Sequence, residues 1–346
     1  MNGTLRAYQA KLDEIRRYID VSVQIDRLLS PDSTHLPSES GSSTDILSSS
    51  SSIQKRFVYA ASIVHLYSSF EAYVEEIVMA YLTCLDKICP TFSDLPQAIQ
   101  DGHIDVSANL LLSRQFEKYR DRCDVEEVVM RLSQSNRPVG TRRVNELAYI
   151  EHKSNFRADS LNDFFRRAGI PKLVHKLKKH SDFRTHLLDE ESLVNIEQLE
   201  NSIVLQRLND LAQRRNEIAH GVPTEILSAP SIRSLTDFMG KLGQAIHDVV
   251  ESEFMQYVHK HGCSPLPQPI AVYRHRILCL SLHNQTVEEG SLILAMTPAG
   301  ELRFGRVQII EVDHKRVGTA TAPPIVDVGL ELNFNIKDSY QFFLAH

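Results

Sequence analysis

Cysteine is scarce and unpatterned in this chain: Cys84, Cys89, Cys123, Cys263 and Cys279 form no CxxC pair. An odd number without paired spacing indicates neither a disulfide framework nor a structural zinc site, and buried thiols are the plain reading. No stretch approaches the roughly 20 uncharged apolar residues that span a bilayer, so no membrane partner is expected. The N-terminal MNGTLRAYQAKLDEIRRYID reads as a charged amphipathic helix and not as a secretory leader, which makes the cytoplasm the expected compartment. GxxxxGK[ST], GxGxxG and HExxH sequences are also missing, which removes the motif case for nucleotide hydrolysis, dinucleotide binding or zinc proteolysis. Neither a cofactor nor a metal is expected.

What is present is the composition of a soluble protein long enough for two cores: 346 residues, 42% hydrophobic and 24% charged. The net charge of −6 is unevenly spread. Residues 137–186 hold 12 Lys and Arg against 5 Asp and Glu, a local +7 that leaves −13 for the remainder. One basic surface on an acidic body suits an anionic partner, because local fields steer association more than the total charge does.

Apolar residues at helical spacing mark a first helix at Leu5, Tyr8, Leu12, Ile15, Ile19, Val23 and Ile25. The Ser-rich stretch 30–52 that follows buries too little apolar surface to offset its ordering entropy, and a flexible loop is expected there. Ile63, Tyr67, Phe70, Val74, Ile77, Tyr81 and Leu85 predict a long second helix that Pro90 stops. Shorter helical stretches are expected through 107–135 and 145–180. Two more are expected at 194–219 and 230–261, the last striped by Leu235, Phe238, Met239, Leu242, Ile246, Val249, Val250, Phe254 and Val258. At the Pro-rich segment 264–269 the pattern turns to short β-rich runs: IAVY, RILCLSL, SLILAM, ELRFGRVQIIEV, IVDVGLEL and YQFFLA. The expected class is α+β and multi-domain: a helical domain over 1–263, a linker over 264–269 and a small β-barrel over 270–346.

The chemistry concentrates in Gln213-Arg-Arg-Asn-Glu-Ile-Ala-His-Gly221. A structural account is available, since a cation near a helix C-terminus and a Gly just beyond it cap the last turn. The functional account is RNA cleavage. His220 is of the residue type that exchanges protons near neutrality, Arg215 carries a planar donor fork that matches a phosphate, and Asn216 can orient either. Asn216 and His220 share a helix face, but Arg215 and His220 lie about 140° apart by helical rotation, so one helix alone does not aim both at one point. Glu71 could face such a site, although a glutamate on an amphipathic helix is usually solvated. Arg142, Arg143, Arg166, Arg167, Lys172, Lys176, Lys178 and Lys179 form a candidate phosphate-binding set, or else a solvated face. His259-Lys-His261 reads as a charged helix end.

Arg215-Asn-Glu-Ile-Ala-His-Gly221 resembles the Arg-x4-His motif of the HEPN superfamily. Val64-His-Leu-Tyr-Ser-Ser-Phe-Glu-Ala-Tyr-Val-Glu-Glu-Ile77 resembles the long early helix of its RiboL-PSP branch, and Ser160-Leu-Asn-Asp-Phe-Phe-Arg-Arg-Ala-Gly-Ile-Pro171 the segment that precedes the motif helix there. The likeness covers roughly residues 5–260. It implies a helical bundle that pairs as a homodimer with two motifs in one cleft, and a metal-independent endoribonuclease acting as a toxin or in defence against phage. By that resemblance Arg215 holds the scissile phosphate, His220 transfers the proton and Asn216 assists; the 2′-hydroxyl attacks and a cyclic phosphate results. RNA is then a partner, and an antitoxin or regulator a possible second one. A non-catalytic RNA- or protein-binding module is the alternative. The C-terminal runs 306–320, 328–332 and 335–344 are similar to the second, β-barrel domain of translational GTPases, with Asp338-Ser339 where that turn usually carries Gly-Asp and without any GTPase domain.

Overall fold

The computed structural model describes residues 1–28, 41–134, 143–221, 225–322 and 325–346. The helices are α1 (Asn2–Leu28), α2 (Gly41–Ile88), α3 (Gln97–Ser113), α4 (Glu117–Arg120), α5 (Val125–Ser133), α6 (Glu146–Tyr149), α7 (Ala158–Arg167), α8 (Leu173–Lys179), α9 (Ser181–Asp189), α10 (Asn201–Val204), α11 (Gln206–Ala219) and α12 (Ala229–His261). Among the described residues ten strands follow: β1 (Cys263–Pro265), β2 (Ala271–Tyr273), β3 (Ile277–Leu282), β4 (Thr286–Glu288), β5 (Leu292–Met296), β6 (Leu302–Val312), β7 (Lys315–Val317), β8 (Thr319–Thr321), β9 (Val326–Leu332) and β10 (Gln341–Ala345). The chain divides into two compact units, the first ending at Glu251 and the second holding residues 87–90 and 252–346.

In the first unit the predicted stripes are the core. All seven of the apolar positions expected on α2 are 1% exposed or less. On α1, Leu5, Tyr8, Leu12, Ile15 and Ile19 are buried, whereas Ile25 near its end is exposed. Tyr8 and Tyr73 stack at 4.5 Å between ring centroids, and their hydroxyls donate to the carbonyls of Met239 and Gly243 at 3.2 and 2.7 Å. Gly243 is what permits that approach, because a Cβ there would lie 2.5 Å from the Tyr8 ring. The Ser-rich stretch departs from expectation. Its residues from Gly41 to Ser52 are helical, continuous with α2, while 30–40 lie outside the described residues. Serine costs only about 0.5 kcal/mol against alanine in a helix, and adding residues to an existing helix avoids the unfavourable nucleation step.

The second unit is an antiparallel half-barrel where a small barrel was expected. Strand order is β1-β10-β5-β6-β9-β3-β2, with β7 on β6 and a separate β4-β8 pair, so β1 and β2 end the path. All six β-rich runs of the sequence form strands. β3 alternates strictly between half-buried and buried positions, as a sheet with one covered face requires. Ser264 and Pro265, expected in a linker, pair instead with Leu344 and Phe343. β1 lies at the end of the sheet, where a proline costs no ladder hydrogen bond.

His103 lies in the first unit, 1% exposed, its ring 5.4 Å from Phe92 and 6.1 Å from Tyr149. Burial pulls its pKa down from 6.5 to about 4. Below the unfolded value the unfolded chain takes a proton that the folded one refuses, so stability is lost as pH falls from about 6.5 toward 4. Urea unfolding at pH 7 and pH 4.5 should show that loss, at most about 3 kcal/mol from this group, and His103→Phe should reduce it.

Candidate functional site

The motif residues sit on the last turns of α11. His220 caps that helix, its N–H donating to the carbonyl of Asn216 at 3.0 Å, and Gly221 follows at φ +77°. Of the two adjacent arginines, Arg214 is engaged within its own chain: Asp210 pairs with it at 2.8 Å, and the Tyr59 hydroxyl and Glu225 carbonyl lie at 3.2 Å. Arg215 is differently placed. Its guanidinium lies 5.8 Å from the centre of the Tyr67 ring, and one long hydrogen bond of 3.4 Å reaches Asn216 Oδ1.

Asn216 is held from the other side by a segment that the sequence reading did not single out. Asn155 Nδ2 donates to Asn216 Oδ1 at 2.6 Å. With its oxygen accepting from Asn155 and Arg215, the Asn216 amide is fixed in orientation by its own network. The irregular chain from Ile150 to Arg157 carries Asn155 and is bound on several sides. The Phe156 N–H donates to the Tyr67 hydroxyl at 2.7 Å, Arg157 donates to Gln213 Oε1 at 3.0 Å, and the Ala158 N–H donates to Asn209 Oδ1 at 3.0 Å. Burial, and after it the Glu71 carboxylate, pushes the Tyr67 hydroxyl well above its ordinary pKa, which keeps it neutral.

Glu71 is half-buried and faces His152, whose Nε2 is 3.3 Å from Glu71 and 2.8 Å from Glu75. Among the described residues this trio is one of two clusters with metal-ligand side chains converging within 4.8 Å; His247, Asp248 and Glu251 form the other. The structure therefore brings Arg215, Asn216, Tyr67 and Asn155 together. His220 stays at the exposed end of α11, and among the described residues no hydrogen bond joins its ring to Arg215 or Asn216. Histidine and asparagine just ahead of an aromatic, as in His152-Lys-Ser-Asn-Phe156, were the only signal for the missed residues, and spacing alone does not connect them to α11.

The basic set needs correction. Arg143 is fully buried, its Nε 3.0 Å from Asp86 Oδ1 and its N–H donating to Asp86 Oδ2 at 2.8 Å, so it is unavailable to a phosphate. Lys178 is 5% exposed and donates to the Leu199 carbonyl at 2.5 Å, and burial lowers its pKa. Arg167 is largely enclosed and donates to the carbonyls of Tyr149 and Glu151, burial again lowering its pKa. Arg166, Lys172 and Lys179 are exposed, with Lys176 half-buried. Arg142 lies outside the described residues. The distinction is measurable. Arg143→Ala leaves Asp86 buried without its counter-ion and should cost about 3–5 kcal/mol in urea unfolding, whereas Arg166→Ala should change stability by less than about 0.5 kcal/mol.

A family model described as RiboL-PSP-HEPN matches residues 39–252, which includes α11 and its Arg-x4-His ending. No curated protein matches the chain.

Proposed function

The chain belongs to the RiboL-PSP-HEPN family, and from that membership and the end of α11 we propose that it is a metal-independent endoribonuclease working as a homodimer. The observation that carries this reading is the division of labour at that helix end. Arg214 is tied into its own protomer, while Arg215 and Asn216 are held by Tyr67 and Asn155 beside an exposed His220. With Asn216 Oδ1 already accepting two hydrogen bonds, its Nδ2 is the atom left to donate to a substrate oxygen. Arg215 binds the scissile phosphate and neutralises charge as it builds. His220 moves the proton when the 2′-hydroxyl attacks the adjacent phosphorus and the 5′-oxygen departs, leaving a cyclic phosphate.

One copy supplies only half of that set, since a general base and a general acid are both needed and Arg215 and His220 diverge around the helix. A second copy supplies the rest. Ile53, Phe57 and Val64 leave an exposed apolar stripe on α2, with Tyr18, Val21 and Ile25 exposed on α1, which supports pairing through this side. Service as a toxin or antiphage effector, with RNA as substrate and an antitoxin or regulator as a further partner, is part of the same proposal.

Purified protein incubated with mixed RNAs in chelator should yield products with cyclic or 2′/3′-phosphate ends. His220→Ala should lower the rate by about 10²–10⁴-fold, and the solution mass by light scattering should be that of two chains. Cleavage by neither wild type nor variant would favour a binding module, and products with 3′-hydroxyl ends would contradict the chemistry.

A further inference from the structure

A cluster that the cleavage reading leaves unused lies one turn along α2 from Tyr67. Glu71 and Glu75 are four apart and so share a face of α2, and His152 reaches them from the segment that holds Asn155. The imidazole is fixed in plane. Its ring packs against Phe156 at 4.5 Å and meets Phe164 edge-on at 5.9 Å. Its Nδ1 lies 2.9 Å from the Ser154 carbonyl, and a carbonyl can only accept, so Nδ1 carries a hydrogen and donates it. That assignment leaves Nε2 directed at the two carboxylates, 2.8 and 3.3 Å away.

A bare nitrogen lone pair cannot sit at those distances from two carboxylate oxygens, because all three atoms are electron-rich acceptors. A proton on Nε2 or on a carboxyl oxygen relieves that contact, and so does a metal ion held by all three atoms. Glu75 is 8% exposed and the His152 side chain 11%, so the three donor atoms converge in a largely enclosed site. The geometry is also that of a ligand set. Donors about 2.1 Å from a tetrahedral ion stand roughly 3.4 Å apart, close to the Glu71 spacing and a small side-chain adjustment from that of Glu75. A histidine that donates its other ring N–H to a backbone carbonyl is the usual outer arrangement around a metal.

We propose that Glu71, Glu75 and His152 bind a divalent transition-metal ion of the Zn2+ class, one per chain, with at least one position open to water. One nitrogen and two carboxylate donors suit such an ion better than Mg2+ or Ca2+, which take oxygen ligands. The ion joins α2 to the segment that carries Asn155, adding to hydrogen bonds that already hold the frame behind Arg215 and Asn216 without it. No step of RNA cleavage passes through it, and the proposal does not rest on the nuclease reading.

The test is calorimetric titration of chelator-treated full-length protein with Zn2+, run in two buffers of different ionisation enthalpy. Wild type should bind one equivalent and release a proton, with a melting temperature that rises on loading. Glu75→Gln and His152→Ala should each weaken binding at least tenfold, as should Glu71→Gln, whose half-exposed side chain guards against a merely misfolded variant. His247→Gln, altered in the other cluster, should bind as wild type does. Absence of saturable Zn2+ binding, or binding unchanged in all three of the first variants, would overturn the proposal. Neither result bears on the RNA product ends, so failure here and failure of the cleavage reading are separable.

Discussion

A stretch of chain without helix or strand has no ladder to satisfy its polar groups, and buried groups left unsatisfied cost about 1–3 kcal/mol each. The organisation of this protein's helical unit turns on how that debt is met between Ile150 and Ala158. Tyr67 accepts from one backbone N–H and Asn209 from another, while Arg167 donates to the Glu151 carbonyl and to that of Tyr149 just before the stretch. Each of these partners comes from a helix, so the irregular segment is tied to α2, α7 and α11. Asn155 and His152 ride on it, and through Asn155 the end of α11 is fixed too. The position of Arg215 and Asn216 thus depends on hydrogen bonds made by residues up to 89 positions away in sequence, of which Tyr67 and Phe156 are the extreme pair.

The parts legible in the sequence were those governed by local periodicity. Helical stripes on α1, α2 and α12 and alternation in β3 report burial directly, because the same spacing that patterns the sequence patterns the face. The Arg-x4-His ending of α11 was legible for the same reason, being a short-range feature. Residues whose role depends on a distant partner were not. Arg143 and Lys178 looked like members of a basic surface, yet Asp86 and Leu199 take them inward. Asn155 and His152 fell within a stretch, 145–180, where helix was expected, whereas 151–157 is irregular, and nothing near them in sequence names Asn216, Glu71 or Glu75. Pro265 read as a linker residue because the pairing that makes it a strand end lies with Phe343, far along the chain.

Charge was informative in sum and misleading in detail. The excess of cations in 137–186 is real, but part of it is taken inward: Arg143 pairs with Asp86, and Arg167 and Lys178 donate to backbone carbonyls. Among the described residues of that range, the cations open to solvent are Lys153, Arg157, Arg166, Lys172 and Lys179. A count of charges measures what the chain carries; only burial decides what a partner meets.

The closing turns of α12 have a consequence for anyone cutting this protein in two. Met255 and Val258 form one small core with Leu294, packed about by Phe254, Ile88, Phe304 and Phe343. A truncation placed at the proline-rich segment, where composition changes most sharply, would strip the half-barrel of that covering and leave Leu294 and Phe343 wet. The natural seam for excision lies upstream, near Glu251, inside a helix that gives no sign of a boundary along its length. Even that cut would lose Ile88, so the smaller unit is completed by a residue from far earlier in the chain.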